Sequence, residues 1–141
     1  MHSFTQPHLP FSVEQVPTAA YTLPISKAET LVSGSDLTIV TYGTPVYTAQ
    51  SAITMLSNPP ESIAHLIPES VRKASIELID LRTIMPWDVE TVVESVTRTR
   101  RLLILHEAGK IGGVGSDIAS TVTERCFLRL EAPVKRVTGW E

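Results

Sequence analysis

The sequence predicts an α/β domain in which helices cover both faces of a predominantly parallel β-sheet. Short apolar, β-branched runs such as residues 37–41 alternate along the chain with stretches of helical periodicity. Gly and Pro separate these segments. Strands that alternate with helices form parallel crossovers, so the predicted order is β-β-α-β-α-β-α-β. With 141 residues, the chain has the length of one domain.

Residues 1–24 form a predicted lead-in, and residues 25–141 form the domain. Four prolines and little periodicity make the lead-in typical of extended chain. A short edge strand is predicted at 28–32, and residues 34–36 turn the chain into the strand at 37–41.

The first predicted helix begins at Thr44, which we expect to cap it, and Pro45, which suits the first helical position. Its apolar face is predicted to hold Val46, Ala49, Ala52, Ile53 and Leu56. Pro59 and Pro60 end it, and residues 57–74 are expected to form a surface excursion with helical turns that Pro68 interrupts.

The second half of the chain repeats the strand-helix pattern. Residues 76–81 form a predicted strand, and a helix opens at residues 86–88 with an acid where the helix dipole favours negative charge. Its apolar stripe consists of Val89, Val92, Val93 and Val96. A strand at 102–106, a glycine-rich turn at 109–115, a helix from Ser116 to about Arg125 and a strand at 133–137 complete the prediction.

Composition excludes several classes of protein. A net charge of −3 with interspersed charges favours neither nucleic acid nor an anionic membrane as a partner. The longest aliphatic run, residues 102–105, is too short to span a bilayer. The single cysteine, Cys126, cannot form an intrachain disulfide and is expected to pack as a small apolar side chain. Residues 1–12 lack Lys and Arg, so they resemble neither a secretory signal nor a transit peptide.

Ligands of parallel sheets bind at the carboxyl ends of the strands, which directs attention to His106 and Glu107. An imidazole there can act as a general base, or simply end a buried strand. Neighbouring strand residues point to opposite faces, so Glu107 is not expected to orient His106. Trp87 is expected to be a packing or interface residue. The basic residues Arg98, Arg100 and Arg101 are expected to complement a helix dipole.

Gly112, Gly113 and Gly115 have two interpretations. Between a strand and a helix, they could let backbone amides approach a phosphate group. Alternatively, they form a tight turn that allows close packing of helix and sheet or of two subunits. Their spacing does not match the dinucleotide-binding fingerprint. No catalytic, cofactor-binding or metal-binding residue is predicted. The possible interface or strand-end residues are Trp87, His106, Glu107, Gly112, Gly113 and Gly115.

Several segments together resemble the β subunit of 2-oxoisovalerate dehydrogenase, the branched-chain 2-oxoacid decarboxylase component. They are residues 23–29, 34–40, 79–88, 106–108 with the following glycines, 124–133 and 136–139. The resemblance covers about residues 13–141. It implies a transketolase C-terminal fold: three layers, with a mainly parallel five-stranded sheet and one antiparallel edge strand. The pyruvate dehydrogenase β subunit is similar but differs at residues 106–108.

The resemblance implies a domain that serves assembly and is inactive alone. In the family, thiamine diphosphate and magnesium bind between the α subunit and the N-terminal domain of the β subunit. Expected partners are the α subunit, a second β subunit and the acyltransferase core, whose docking uses family residues beyond the position of Glu141. The implied location is the mitochondrial matrix in a eukaryote, or otherwise the cytoplasm. A stand-alone nucleotide- or phosphate-binding module and a self-associating scaffold remain alternatives.

Overall fold

A computed structural model describes residues 18–139. Most of the predicted lead-in, residues 1–17, lies outside this range, whereas residues 18–24 are exposed and contain neither helix nor strand. The strands are β1 (Glu29–Val32), β2 (Leu37–Thr41), β3 (Ile76–Asp80), β4 (Leu102–Leu105) and β5 (Lys135–Val137). The helices are α1 (Pro45–Ser57), α2 (Glu61–Ala64), α3 (Glu69–Arg72), α4 (Val89–Thr99) and α5 (Val114–Cys126).

The five strands form one sheet in the order β1-β3-β2-β4-β5. Strand β1 pairs antiparallel with β3, and the other three pairings are parallel. In the centre, Thr38 lies opposite Glu77 on one side and Leu102 on the other. The predicted strand order along the chain and the single antiparallel edge strand are confirmed. All parallel strands therefore end at one edge of the sheet, here called the carboxyl edge.

Two apolar clusters cover the faces of the sheet. Helices α4 and α5 bury one face through the cluster around Val40, Ile104, Val92 and Ile118. Helix α1 covers the opposite face through Ala49, which packs in a cluster with Ile39, Ile76 and Leu78. This gives the three layers expected from the sequence. The central strands are shielded on both sides, as their nearly continuous apolar composition requires.

Helix α1 departs from the prediction at two residues. Thr44 occupies the N-cap position with helical dihedral angles, and its side chain makes no capping hydrogen bond, so the predicted cap is wrong. Pro45 lies in the first turn of α1, where the fixed φ of proline suits the start of a helix, and it is also buried. Ala52 is exposed rather than buried, because the face that contacts the sheet is narrow and centred on Val46 and Ala49.

The surface excursion is confirmed, with α2 and α3 as single helical turns that begin after Pro60 and Pro68. Helix α5 begins at Val114, two residues before the predicted start, so Gly115 belongs to its first turn rather than to the loop. Strand β5 is shorter than predicted and begins at Lys135. Among the described residues, none of the helices has the length and apolar character needed to cross a membrane.

Candidate functional site at the carboxyl edge

The site around His106 lies where β4 ends. The backbone N–H of His106 donates to the Val137 carbonyl at 3.1 Å, which extends the β4-β5 pairing by one residue. Its side chain is 2% exposed and points to the face that α5 covers. Glu107, the next residue, is exposed. Within the described part of the chain, neither ring nitrogen has a hydrogen-bond partner.

The glycines of α5 and the loop before it pack against this imidazole. A Cβ atom at Gly115 would overlap His106 Nε2 and lie 2.6 Å from Cδ2. A Cβ atom at Gly113 would lie 3.3 Å from His106 Cε1 and 2.9 Å from the Gly109 carbonyl oxygen. Gly112 has a φ of +72°, which glycine adopts without strain. The close approach of α5 to the sheet thus explains why positions 113 and 115 hold glycine. The positive φ explains the glycine at position 112.

Tyr42, which follows β2, stacks on His106 with ring centroids 6.2 Å apart and ring planes inclined by 8°. Burial lowers the pKa of His106 below its ordinary value of 6.5. The backbone of Ala108 favours the charged ring, and the positive charge of Arg136 disfavours it. Burial, followed by the Glu107 carboxylate, raises the pKa of Tyr42. The stacked pair is therefore neutral at pH 7.

Arg136 of β5 holds the loop that leads into α5. Its Nη1 atom donates to the Lys110 carbonyl at 2.9 Å and to Ser116 Oγ at 2.7 Å. Ser116 Oγ in turn donates to the Lys110 carbonyl at 3.1 Å. Gly139 N–H donates to the Ala108 carbonyl. Sequence reasoning missed Arg136, because nothing in its local pattern connects it with a loop 26 residues earlier.

Trp87 is buried and connects the start of α4 to the start of α5. Its Nε1 atom donates to Asp117 Oδ2 at 2.9 Å, while the ring packs in the core. It is therefore a packing residue in this domain, one of the two roles predicted for it. Next to it, Asp88 caps α4 by accepting from the Thr91 N–H and also accepts from the Ala28 N–H.

The first residues of the domain, directly after the lead-in, reach the same edge of the sheet. Ser26 N–H donates to Thr83 Oγ1 at 3.1 Å, which fixes this segment beside the loop that follows β3. Three large apolar side chains are exposed at this edge: Ile25 at 73%, Met85 at 83% and Ile111 at 87%. These three residues are called the carboxyl-edge patch below. Sequence reasoning did not identify them, since their exposure depends on the tertiary fold.

The basic residues Arg98, Arg100 and Arg101, here called the arginine cluster, each form an ion pair with a carboxylate. Arg100 and Arg101 both bind the Glu131 carboxylate, at 2.9 and 2.7 Å. Arg98 forms an ion pair with Glu77, whose buried carboxylate also accepts hydrogen bonds from Ser95 and Thr38. These acids provide partners for the cluster in addition to the helix dipole that the sequence suggested.

Cys126 is buried in the core that α4 and α5 share. Its predicted role as a packed side chain is confirmed.

Thiamine diphosphate binds together with magnesium, so a site for it requires a suitable set of oxygen ligands. Across residues 18–139, no group of three or more His, Cys, Asp or Glu side chains lies close enough to hold a metal ion.

Comparison with known proteins assigns the domain. The family model for the transketolase C-terminal domain matches residues 26–141. The chain belongs to the transketolase C-terminal domain family. A solved transketolase, described as a split-gene protein in an inactive β4 tetramer, superimposes with a TM-score of 0.63 at 26% identity. The match covers 92% of this transketolase C-terminal domain and 37% of that chain.

Curated relatives of this transketolase C-terminal domain include 2-oxoisovalerate dehydrogenase β subunits. The mitochondrial protein of Dictyostelium discoideum is 44% identical over 98% of the chain. A mitochondrial β subunit of Arabidopsis thaliana is 48% identical over 91%. The pyruvate dehydrogenase E1 β subunit of Mycoplasma pneumoniae is 39% identical over 91%. The chain spans about a third of the length of these relatives, 35%, 32% and 35% respectively.

Proposed function

We propose that this domain is part of the β subunit of a 2-oxoisovalerate dehydrogenase and that it serves assembly rather than catalysis. The observation that carries the proposal is sequence identity. Two 2-oxoisovalerate dehydrogenase β subunits are 44% and 48% identical to the chain, against 39% for a pyruvate dehydrogenase β subunit. The parent enzyme would decarboxylate branched-chain 2-oxoacids with thiamine diphosphate and magnesium bound outside this domain.

The carboxyl-edge patch supports a role in assembly. Ile25, Met85 and Ile111 precede or follow strand ends at this edge and expose most of their apolar surface, and exposed apolar surface is available for protein contacts. The first residues of the domain are fixed at this edge by the Ser26–Thr83 hydrogen bond. Because relatives contain about twice as much additional chain, we infer that the patch contacts the remainder of the β subunit or the α subunit. A location in mitochondria is part of the same proposal, from the names of two relatives.

The glycine loop favours packing over phosphate binding. The His106 ring occupies the space against Gly113 and Gly115, the residues whose backbone would otherwise approach a ligand. Calorimetric titration with ATP and NAD tests the alternative of a stand-alone nucleotide-binding module. Saturable binding that Arg136→Met abolishes would support that module.

Reconstitution tests the assembly proposal. The chain is mixed with the α subunit and a β subunit of the D. discoideum enzyme that lacks the region matched by this chain. We expect recovery of 2-oxoisovalerate decarboxylation only when all three components are present. A parallel mixture with a correspondingly shortened pyruvate dehydrogenase β subunit should recover less activity.

Substitutions in the carboxyl-edge patch test whether this surface is needed for the reconstitution. Met85→Lys and Ile111→Lys should weaken recovery, whereas Met55→Lys, on the exposed side of α1, should not. Full activity from the α subunit and this chain alone would contradict catalytic silence. Equal recovery by all three variants would contradict a role for the patch.

A further inference from the structure

The His106 side chain combines burial with a position against a helix start. The ring is 2% exposed, and its Nε2 atom faces the first turn of α5 at Gly115. The N-terminus of a helix has a partial positive charge, because its first N–H groups have no carbonyl partner within the helix. A neutral Nε2 atom without a proton is compatible with that environment, whereas a protonated one is repelled.

The titratable and charged groups around the ring come from four parts of the fold. Tyr42 stacks on it from the end of β2, and Arg136 approaches from β5 with a charge that persists at all pH values used here. Asp117 lies in the first turn of α5, with its carboxylate bound to Trp87 Nε1. On the segment that follows β4 stand Glu107, which is exposed, and Lys110.

We propose that His106 is a pH-sensitive latch that holds the start of α5 against the sheet when its ring is neutral and releases it when the ring is protonated. The element that would loosen is residues 107–116, which connect β4 to α5 and include the first turn of the helix. In the latched state Arg136 binds this segment through Lys110 O and Ser116 Oγ, and these two bonds oppose its release.

The direction of the pH dependence follows from proton linkage. In the released state the ring contacts water and has its ordinary pKa of 6.5, whereas burial lowers the pKa in the latched state. At pH values above 6.5 the ring is neutral in both states, and the latch is closed. As the pH falls below 6.5, only the released state binds a proton, so its population rises until the latched pKa is reached.

The latch also controls part of the carboxyl-edge patch. Ile111, exposed at 87%, lies on the segment that is released. If that patch binds a partner, as proposed above, acid would weaken the contact. The latch itself does not depend on that role and can be measured on the isolated chain.

Two measurements on the chain test the latch. First, NMR titration of the imidazole signals should give His106 a pKa below the ordinary value of 6.5. Second, hydrogen exchange at residues 114–116, expressed relative to the intrinsic exchange rate, should accelerate as the pH is lowered from 7.5 to 5.5. This excess should be about tenfold at most, because pH 5.5 lies one unit below the released-state pKa of 6.5.

Substitutions separate the latch from general acid sensitivity. His106→Asn removes the titrating group and should abolish the excess acceleration, whereas His65→Asn should leave it unchanged. If His106→Asn does not fold, the titration of the unmodified chain still decides. A His106 pKa of 6.5 or above, or exchange at residues 114–116 that follows only the intrinsic rate, would overturn the proposal.

Discussion

At the scale of single residues, the contact between the His106 ring and the Gly115 backbone determines how closely α5 approaches the sheet. The sequence offered close packing as one interpretation of the glycines and a buried strand end as one interpretation of His106; in the structure His106 is buried and lies against Gly113 and Gly115. It did not predict that these residues meet. That contact depends on where α5 begins, and the pattern placed its start two residues too late.

Substitution of Gly115 measures this contact. Gly115→Ala should lower the free energy of unfolding by about 1–3 kcal/mol, the usual cost of overpacking, because the new methyl group overlaps the imidazole. Urea unfolding followed by circular dichroism provides the measurement. Ser120→Ala, on an exposed position of the same helix, should change the free energy by less than about 0.5 kcal/mol.

A double substitution identifies the cause. If the clash with the ring is responsible, Gly115→Ala should cost less in a His106→Ala background than in the unmodified chain. Equal costs in both backgrounds would show that the methyl group is opposed by something other than His106.

At the scale of secondary-structure elements, local chemistry fixed some boundaries and tertiary contacts fixed others. The sequence predicted a helix that opens at residues 86–88 with Asp88 in its first turn, whereas α4 begins at Val89 and Asp88 is its N-cap, because an acid before an apolar stripe is a strong local signal but not an exact one. Thr44 gave an equally strong signal and was wrong, because it adopts helical dihedral angles and its hydroxyl makes no capping bond. The buried Glu77 was not recognised, since only the fold brings Arg98, Ser95 and Thr38 around it.

Asp88 connects two elements, and its loss should affect both. Asp88→Ala removes the N-cap of α4 and the acceptor for Ala28 N–H, so we expect a loss of about 0.5–2 kcal/mol in urea unfolding at pH 7. Glu94→Ala, at an exposed position of α4, is the control. An Asp88→Ala variant as stable as the control would show that the cap contributes nothing.

The contribution of Asp88 should also depend on pH. Burial tends to raise its pKa, but hydrogen bonds from Thr91 and Ala28 and the charge of Lys27 lower it below 3.8 overall. Stability from a lowered carboxyl pKa is present above the unfolded value and is lost as the pH falls through the folded value. The difference between Asp88→Ala and the unmodified chain should therefore shrink below pH 4. A difference that is constant from pH 7 to pH 3 would contradict this account.

The Arg98–Glu77 and Arg101–Glu131 ion pairs should contribute unequally to the free energy of unfolding. Arg98→Met leaves the Glu77 carboxylate, 3% exposed, without its ion-pair partner, and breaking such a buried pair costs about 3–5 kcal/mol. Because Arg98 itself is half-exposed, we expect the lower end of that range. Arg101→Met removes a contact with the exposed Glu131 and should cost less than about 1 kcal/mol. Equal losses in urea unfolding would show that the Glu77 network is not energetically distinct.

At the scale of the whole molecule, strand order along the chain was predictable and the role of the surface was not. Alternating strand and helix patterns imply a parallel sheet, and resemblance supplied the antiparallel edge strand. The carboxyl-edge patch appears only when the loops after β3 and β4 and the first residues of the domain are brought to one edge. Sequence identity then relates the domain to enzyme β subunits that are about three times its length.

We propose that this domain assembles with the parts of the enzyme that carry out the chemistry and that thiamine diphosphate binds outside it. The most direct test is calorimetric titration of the purified chain with thiamine diphosphate and magnesium. We predict no saturable binding up to millimolar cofactor. Stoichiometric binding in the micromolar range would contradict the claim, because it would place the cofactor within the chain itself.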